Sequence, residues 1–173
     1  MAVFIPLLEQ QDDQLIAALA RIGPIITPAR QSLELPSRCN RFVLVDHDIS
    51  LNVDDLIQWL DDGAAKIIAP LAWAPELVGL IPSERLLLTL DVANVSAVSD
   101  KVRDGVSGVV LKTPSVDLDL IGSVSRFFKD STIYVLPIGS EAPSASTIRE
   151  VRGLGATIII PTCLLYTSPS PRD

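Results

Sequence analysis

Short polar residues follow several apolar runs of this chain, and they are where chemistry could occur. Asp46, His47 and Asp48 stand in "VDHDIS", and Asp91 stands in "TLDVAN". Two carboxylates that face each other across a pocket can act as general acid and general base. Asp46 and Asp91 are therefore the candidate catalytic pair, provided that the strands close into a barrel that brings the two residues to face each other. The alternative for Asp46 and Asp48 is structural, since short polar residues commonly begin turns and cap helices.

A second group of candidates follows the later apolar runs. In "PIGSEAPSAST", Gly139 and Ser140 could hold a phosphate with backbone N–H groups at the start of a helix. The segment lacks the full glycine patterns of the known phosphate loops, so an ordinary loop with a helix cap is the alternative. Lys112, Thr113 and Glu141 also stand at ends of apolar runs.

The residues that bind transition metals are scarce and far apart. The chain has one histidine, His47, and two cysteines, Cys39 and Cys163, without the spacing of a metal site. We therefore expect neither a metal site nor a cofactor in this chain.

Composition excludes some classes of partner. The formal net charge is −7 over 173 residues, so a nucleic-acid phosphate backbone is not an expected ligand. No apolar run approaches the roughly 20 residues of a membrane-spanning helix, and the start of the chain has no basic leader pattern. Two distant cysteines fit a reducing compartment. We expect a cytoplasmic protein with no nucleic-acid or membrane partner.

Eight β-rich runs recur along the chain and define the expected fold. They are continuously apolar, which is typical of parallel strands buried on both faces. From Arg41 they return about every 20 to 25 residues, the size of one strand–helix unit. The pattern predicts an α/β fold of repeated strand–helix units, barrel-like or half-barrel-like, with an open doubly wound sheet as the alternative. The runs are "VFIPLL", "PIIT", "RFVLVD", "KIIAP", "RLLLTLD", "GVVLK", "TIYVLP" and "TIIIP".

Helical patterns separate most of these runs. The clearest is "NVDDLIQWLDDG", with an apolar stripe of Val53, Leu56, Ile57 and Leu60. We expect Leu56 and Ile57 to be buried and Gly63 to end the helix. The segment "TPARQSLELPSRCN" has no helical period and is expected to be a long loop.

Three segments carry a resemblance to a known family: "RFVLVDHDISLNVDDLIQWLDDGAAKIIAP", "LIPSERLLLTLD" and "STIREVRGLGATIIIPT". Together they resemble the N-terminal region of the fungal histidine biosynthesis trifunctional protein. That family carries phosphoribosyl-AMP cyclohydrolase, phosphoribosyl-ATP pyrophosphohydrolase and histidinol dehydrogenase on one chain. The resemblance implies a non-catalytic or regulatory leading domain, with downstream domains of the same chain as partners.

The same resemblance assigns zinc, magnesium and NAD only to the missing downstream domains. It also leaves a homo-oligomer open. Two alternatives stand beside it: a stand-alone phosphosugar isomerase-type barrel enzyme that uses Asp46, Asp91 and a phosphate near Gly139, and an interaction module of another multidomain protein.

The end of the chain, "CLLYTSPSPRD", resembles a translated adapter read-through. This predicts one domain over residues 1–162 and a non-native, disordered tail over residues 163–173 that packs against nothing. The alternative is a natural terminus rich in serine and proline.

Overall fold

Eight parallel strands form a closed barrel in a computed structural model that describes residues 4–29, 33–36, 39–45, 50–139 and 141–166. Neighbouring strands follow chain order, and β8 pairs with β1 through Phe4 and Ile158 to close the sheet. Closure confirms the predicted barrel and excludes the open sheet. The strands are β1 Phe4–Leu7, β2 Ile25–Pro28, β3 Arg41–Leu44, β4 Lys66–Pro70, β5 Leu86–Asp91, β6 Gly108–Thr113, β7 Thr132–Pro137 and β8 Ala156–Pro161.

The helices that connect the strands are short, which explains how the barrel fits into so few residues. They are α1 Asp13–Ile22, α2 Val53–Asp61, α3 Ala74–Leu77, α4 Asp100–Asp104, α5 Leu118–Phe127, α6 Ala145–Gly153 and α7 Thr162–Tyr166. Three 3₁₀ helices cover Leu71–Trp73, Ser83–Arg85 and Val92–Ala97. Between β2 and β3 the described residues form no helix, as the sequence predicts.

Helix α2 follows its predicted pattern except at one residue. Asn52 caps it, since its side-chain oxygen accepts a hydrogen bond from Asp54 N at 3.0 Å. Leu56 is 1% exposed, but Ile57 is 48% exposed, so the expected burial of Ile57 is wrong. Trp59 packs against the core with Leu56, so the apolar face turns away from Ile57.

The core has an inner and an outer part. Inside the barrel, Phe42 meets Tyr134 edge to face, with ring centroids 6.1 Å apart. Outside it, strand residues such as Leu88 and Leu90 pack under the helices. Because both faces of each strand are covered, the strands are continuously apolar in sequence.

The segment after β8 continues into α7. Leu164 in this helix is 7% exposed and belongs to the outer core. The expectation that residues 163–173 pack against nothing is therefore wrong at Leu164. The residues after Tyr166 lie outside the described part of the chain, and the domain boundary at residue 162 stays a prediction.

Candidate active site

The carboxyl ends of the strands surround a cavity of about 520 Å³, which we call the mouth cavity. In barrels of parallel strands, active sites lie at this end. The lining is mostly apolar and carries the ionisable residues Glu9, Lys112 and Cys163. The full lining is Leu7, Glu9, Pro28, Leu44, Lys112, Leu136, Pro137, Ile138, Gly139, Pro161, Cys163 and Leu164.

The strand registers order the inward-facing residues into layers, each supplied by alternate strands. One layer comes from β1, β3, β5 and β7, and we call it the leucine layer; its members on β1, β3 and β7 line the mouth cavity, and its member on β5 does not. Its members are Leu7, Leu44, Thr89 and Leu136. The next layer outward comes from the even strands, and we call it the proline layer. Its members are Pro28, Pro70, Lys112 and Pro161.

Lys112 is the basic residue of this lining, at the end of β6. It is half-buried, and its register partner on β5 is Asp91. Asp91 is exposed and precedes the 3₁₀ helix Val92–Ala97, where its backbone N–H donates to Asn94 Oδ1 at 2.8 Å. A carboxylate and an amine thus end adjacent strands at the mouth of the barrel.

Glu9 follows the end of β1 on the inward side, continuing the alternation of Ile5 and Leu7. Its backbone N–H donates to Thr162 Oγ1 at 3.2 Å, which ties the start of the chain to α7. Its Oε1 is buried, and none of the residues that the structure describes gives it a hydrogen bond. The carboxylate also accepts a hydrogen bond from the Cys163 thiol, and this bond is the main cause that raises the pKa of Cys163.

Thr89 lies in the leucine layer, one layer below Lys112. It is 4% exposed, and its buried Oγ1 has no hydrogen-bond partner within the described part of the chain. A buried polar group left unpaired costs about 1–3 kcal/mol. An unpaired Thr89 hydroxyl therefore lowers the stability of the folded protein, unless a ligand pairs with it.

The predicted site residues have different outcomes. Asp46 and Ser140 lie outside the described residues, so the pairing of Asp46 with Asp91 stays a prediction. Gly139 lines the mouth cavity and also a neighbouring cavity of about 450 Å³ that includes Thr147 and Glu141. No basic residue lines that second cavity among the described residues, and the phosphate role of Gly139 stays a prediction.

Sequence reasoning missed Glu9 and Thr89. Glu9 could have been found, because it continues the inward positions Ile5 and Leu7 one step past the strand. Thr89 offered no such indication, since a β-branched threonine is an ordinary strand residue.

Within the described ranges, no group of three or more His, Cys, Asp or Glu residues could hold a metal ion. In the same part of the chain, no helix has both the length and the apolar character that crossing a membrane requires.

No family model matches the sequence, and no curated protein matches it. Several solved structures share the fold. One is "QR15, an Aldolase", with a TM-score of 0.64 and 10% identity over 91% of this chain and 89% of that one. Orotidine 5'-monophosphate decarboxylase from Sulfolobus solfataricus gives a TM-score of 0.63 and 16% identity over 96% of this chain and 91% of that one.

A third similar structure is a protein assigned as a lyase or mutase from Burkholderia cenocepacia J2315. Its TM-score is 0.63, with 13% identity over 90% of this chain and 74% of that one. At these identities the likeness shows the fold alone, and the fold defines a class: the chain is an α/β protein of the TIM-barrel type.

These findings correct the resemblance to the fungal histidine biosynthesis trifunctional protein. The similar structures are an aldolase, a lyase or mutase and a decarboxylase, all on barrels. The resemblance rested on packing patterns, which any chain of short strand–helix units shares. The non-catalytic leading domain, the histidine pathway and the hydrolase activity that it implied are therefore not supported.

Proposed function

We propose that this chain is a barrel enzyme that makes or breaks a carbon–carbon bond in a small carbonyl compound. The observation that carries the proposal is the mouth cavity, which brings Lys112 and Glu9 into one mostly apolar pocket at the carboxyl ends of the strands. A lysine amine adds to carbonyl carbons, and a carboxylate nearby can accept and return protons.

In this proposal Lys112 is the nucleophile. Its Nζ bonds to the carbonyl carbon, the carbon–oxygen bond breaks, and the oxygen leaves as water with the two amine protons. Once protonated on nitrogen, the imine draws electrons from the bond between its α and β carbons, so that this bond can break to leave an enamine, or form in the reverse direction. Asp91 lies beside Lys112 on the next strand and assists the proton transfers of imine formation.

Glu9 is the general base and acid at the reacting carbon. Its buried Oε1 has no partner among the described residues and could accept a hydrogen bond from a substrate. The mostly apolar lining is compatible with this role, because a bound substrate that displaced water there would strengthen the electrostatic interactions of Glu9.

The similar structures give the reaction class indirect support. The three similar proteins are an aldolase, a lyase or mutase and a decarboxylase, and such enzymes cleave or rearrange carbon skeletons. Barrels of this type host many different chemistries. The similar structures therefore support the reaction class by analogy, and the proposal itself rests on the cavity.

A second candidate is a phosphosugar isomerase that uses Asp46 and Asp91 as acid and base. The cavity of about 450 Å³ beside Gly139 favours it, since it offers room for a phosphate next to the mouth. Such an enzyme would exchange substrate hydrogen with solvent without forming an imine. Its activity would be lost in Asp91→Asn and kept in Lys112→Met.

Borohydride trapping tests the leading proposal. Hydroxyacetone is added to the protein with sodium borohydride, and the reduced adduct is measured by intact mass. We expect wild-type protein to form one adduct, Lys112→Met to form none, and the matched variant Lys129→Met, which changes an exposed lysine, to behave as wild type. An adduct that persists in Lys112→Met contradicts the proposal.

A further inference from the structure

Each of the two cavities at the carboxyl end of the barrel is lined by a carboxylate. Glu9 lines the mouth cavity, and Glu141 lines the second cavity of about 450 Å³. Pro137 and Gly139 line both, so the second cavity adjoins the mouth cavity. Among the described residues that line the two cavities, Lys112 is the one basic residue. The combined lining is therefore acidic.

The proposed function leaves no lining cation, in the described part of the chain, for an anionic group of the substrate. Lys112 Nζ is bonded to the carbonyl carbon, and its register partner on β5, Asp91, is a further carboxylate. A phosphate elsewhere on the same molecule would lie in one of the two cavities, near Glu9 or Glu141, and charges of like sign repel.

Backbone N–H groups at helix N-termini are the other usual phosphate site, and here they already have side-chain partners. Helices of a barrel begin at the carboxyl ends of the strands. In each of the four longest helices a capping side chain accepts a hydrogen bond from an N–H of the first turn; the caps are Asp12 on α1, Asn52 on α2, Asp117 on α5 and Ser144 on α6.

Helix α6 matters most, because Thr147 in its first turn lines the second cavity. Ser144 Oγ accepts from Thr147 N at 3.2 Å and lies 3.0 Å from Thr147 Oγ1. This helix start therefore offers the second cavity hydroxyl groups that are already hydrogen-bonded, next to the Glu141 carboxylate.

The carboxylates suit substrate hydroxyl groups. Glu9 Oε1 is buried and has no hydrogen-bond partner among the described residues. An ionised carboxylate accepts hydrogen bonds and cannot donate them, so it pairs with a substrate O–H and not with the oxygen of an ionised phosphate. Ser115 and Thr147 add further hydroxyl groups to the second cavity.

We propose that the substrates carry no negative charge and are free hydroxy ketones or hydroxy aldehydes rather than their phosphate esters. This rests on the proposed function, because Lys112 holds the carbonyl carbon. Glu9 and Glu141 repel an anionic arm and accept hydrogen bonds from a hydroxylated one. The same charges count against the phosphosugar isomerase, whose phosphate would lie next to Glu141.

The test compares hydroxyacetone with hydroxyacetone phosphate, which differ only in the phosphate. The rate of borohydride-trapped adduct on Lys112 is measured by peptide mass, and each rate is divided by that for Nα-acetyl-lysine amide to remove intrinsic reactivity. We expect wild type to prefer hydroxyacetone by about tenfold or more at low ionic strength. Raising the salt from about 20 mM to about 500 mM should reduce the preference, because salt screens exposed charges.

Two charge-reversing variants locate the cause. Glu141→Lys should lower the preference for hydroxyacetone by about threefold or more, since it replaces a repelling charge by an attracting one. Asp130→Lys is the matched control, because it makes the same charge change at an exposed residue just before β7, at the amino end of the barrel. It should keep the wild-type preference.

The outcomes separate the two proposals. Adducts on Lys112 that form equally fast with both ketones, or faster with the phosphate, overturn the inference and leave the proposed function intact. A preference that Glu141→Lys does not change, or that Asp130→Lys changes as much, also overturns the inference. No adduct on wild type with either ketone overturns both proposals. If Glu141→Lys does not fold, judged by circular dichroism, Glu141→Gln replaces it, and an unchanged preference in that variant has the same meaning.

Discussion

The two ends of the barrel each hold an inward-facing lysine, and the two differ in their surroundings. At the amino end, Lys66 Nζ donates to Glu84 O at 2.5 Å and to Ser107 Oγ at 3.1 Å. At the carboxyl end, Lys112 lines a cavity together with Glu9, whose Oε1 has no hydrogen-bond partner among the described residues. One lysine joins neighbouring segments of the scaffold, and the other faces space that a small molecule can enter.

Other groups at the amino end serve the fold in the same way. The Arg85 guanidinium donates to Ala64 O at 2.6 Å and to Leu60 O at 3.3 Å, which satisfies carbonyls where α2 ends. At the carboxyl end the unpaired atoms of Glu9 and Thr89 cost stability. The proposed function would account for this difference, since barrel enzymes keep stabilising groups at the amino end and binding groups at the carboxyl end.

The largest expected effect comes from Gly108, where β6 begins at the amino end. A Cβ at this position would overlap the Thr132 carbonyl oxygen on β7, and backbone cannot move aside easily. We expect Gly108→Ala to lower the free energy of unfolding by about 3–5 kcal/mol in urea denaturation. Gly153→Ala is the control, since nothing lies within 4 Å of its added Cβ. Equal stability of the two variants would contradict the close packing of β6 and β7.

Leu56 and Ile57 are consecutive residues of α2 and differ in exposure. Leu56 is 1% exposed, so Leu56→Ala should cost about 2–5 kcal/mol, whereas Ile57→Ala, at a position 48% exposed, should cost under about 1 kcal/mol. Chemical denaturation of the two variants checks this. A larger loss of stability for Ile57→Ala than for Leu56→Ala would support the prediction from sequence that Ile57 is buried.

Leu164 tests whether α7 belongs to the carboxyl end. It packs in the outer core and lines the mouth cavity, so Leu164→Ala should cost about 1–3 kcal/mol. Thermal denaturation measures the change. An unchanged melting temperature would support the original expectation that residues 163–173 pack against nothing.

The smallest effect concerns Tyr134, in the interior between the two ends. Burial raises the pKa of its phenol above the usual value of 10.0. As the pH rises past that value, the unfolded chain releases the proton before the folded one, so Tyr134 makes the protein less stable through this window. The difference in ultraviolet titration between wild type and Tyr134→Phe should show a midpoint above 10.0. A midpoint at or below it would mean that water reaches the interior.

The sequence predicted much of the fold and little of the site. All eight strands could be found because strands buried on both faces are continuously apolar. The sequence could not decide between a closed barrel and an open sheet. Closure depends on the pairing of β1 with β8, which lie at opposite ends of the chain. Asp91 and Lys112 are neighbours because of the register between β5 and β6. The spacing of residues along the chain does not determine that register, so the pair could not be predicted. Ile57 shows the same limit, because Trp59 decides which face of α2 is buried.

The most direct test of the account is to locate the trapped carbonyl compound on the two inward-facing lysines. Wild-type protein is treated with hydroxyacetone and borohydride, digested, and the modified fractions of Lys66 and Lys112 are measured by mass spectrometry. The account predicts that the adduct lies on Lys112, at the mouth, and that Lys66, held by Glu84 and Ser107, stays unmodified. Equal modification of the two lysines, or modification of Lys66 alone, would contradict it.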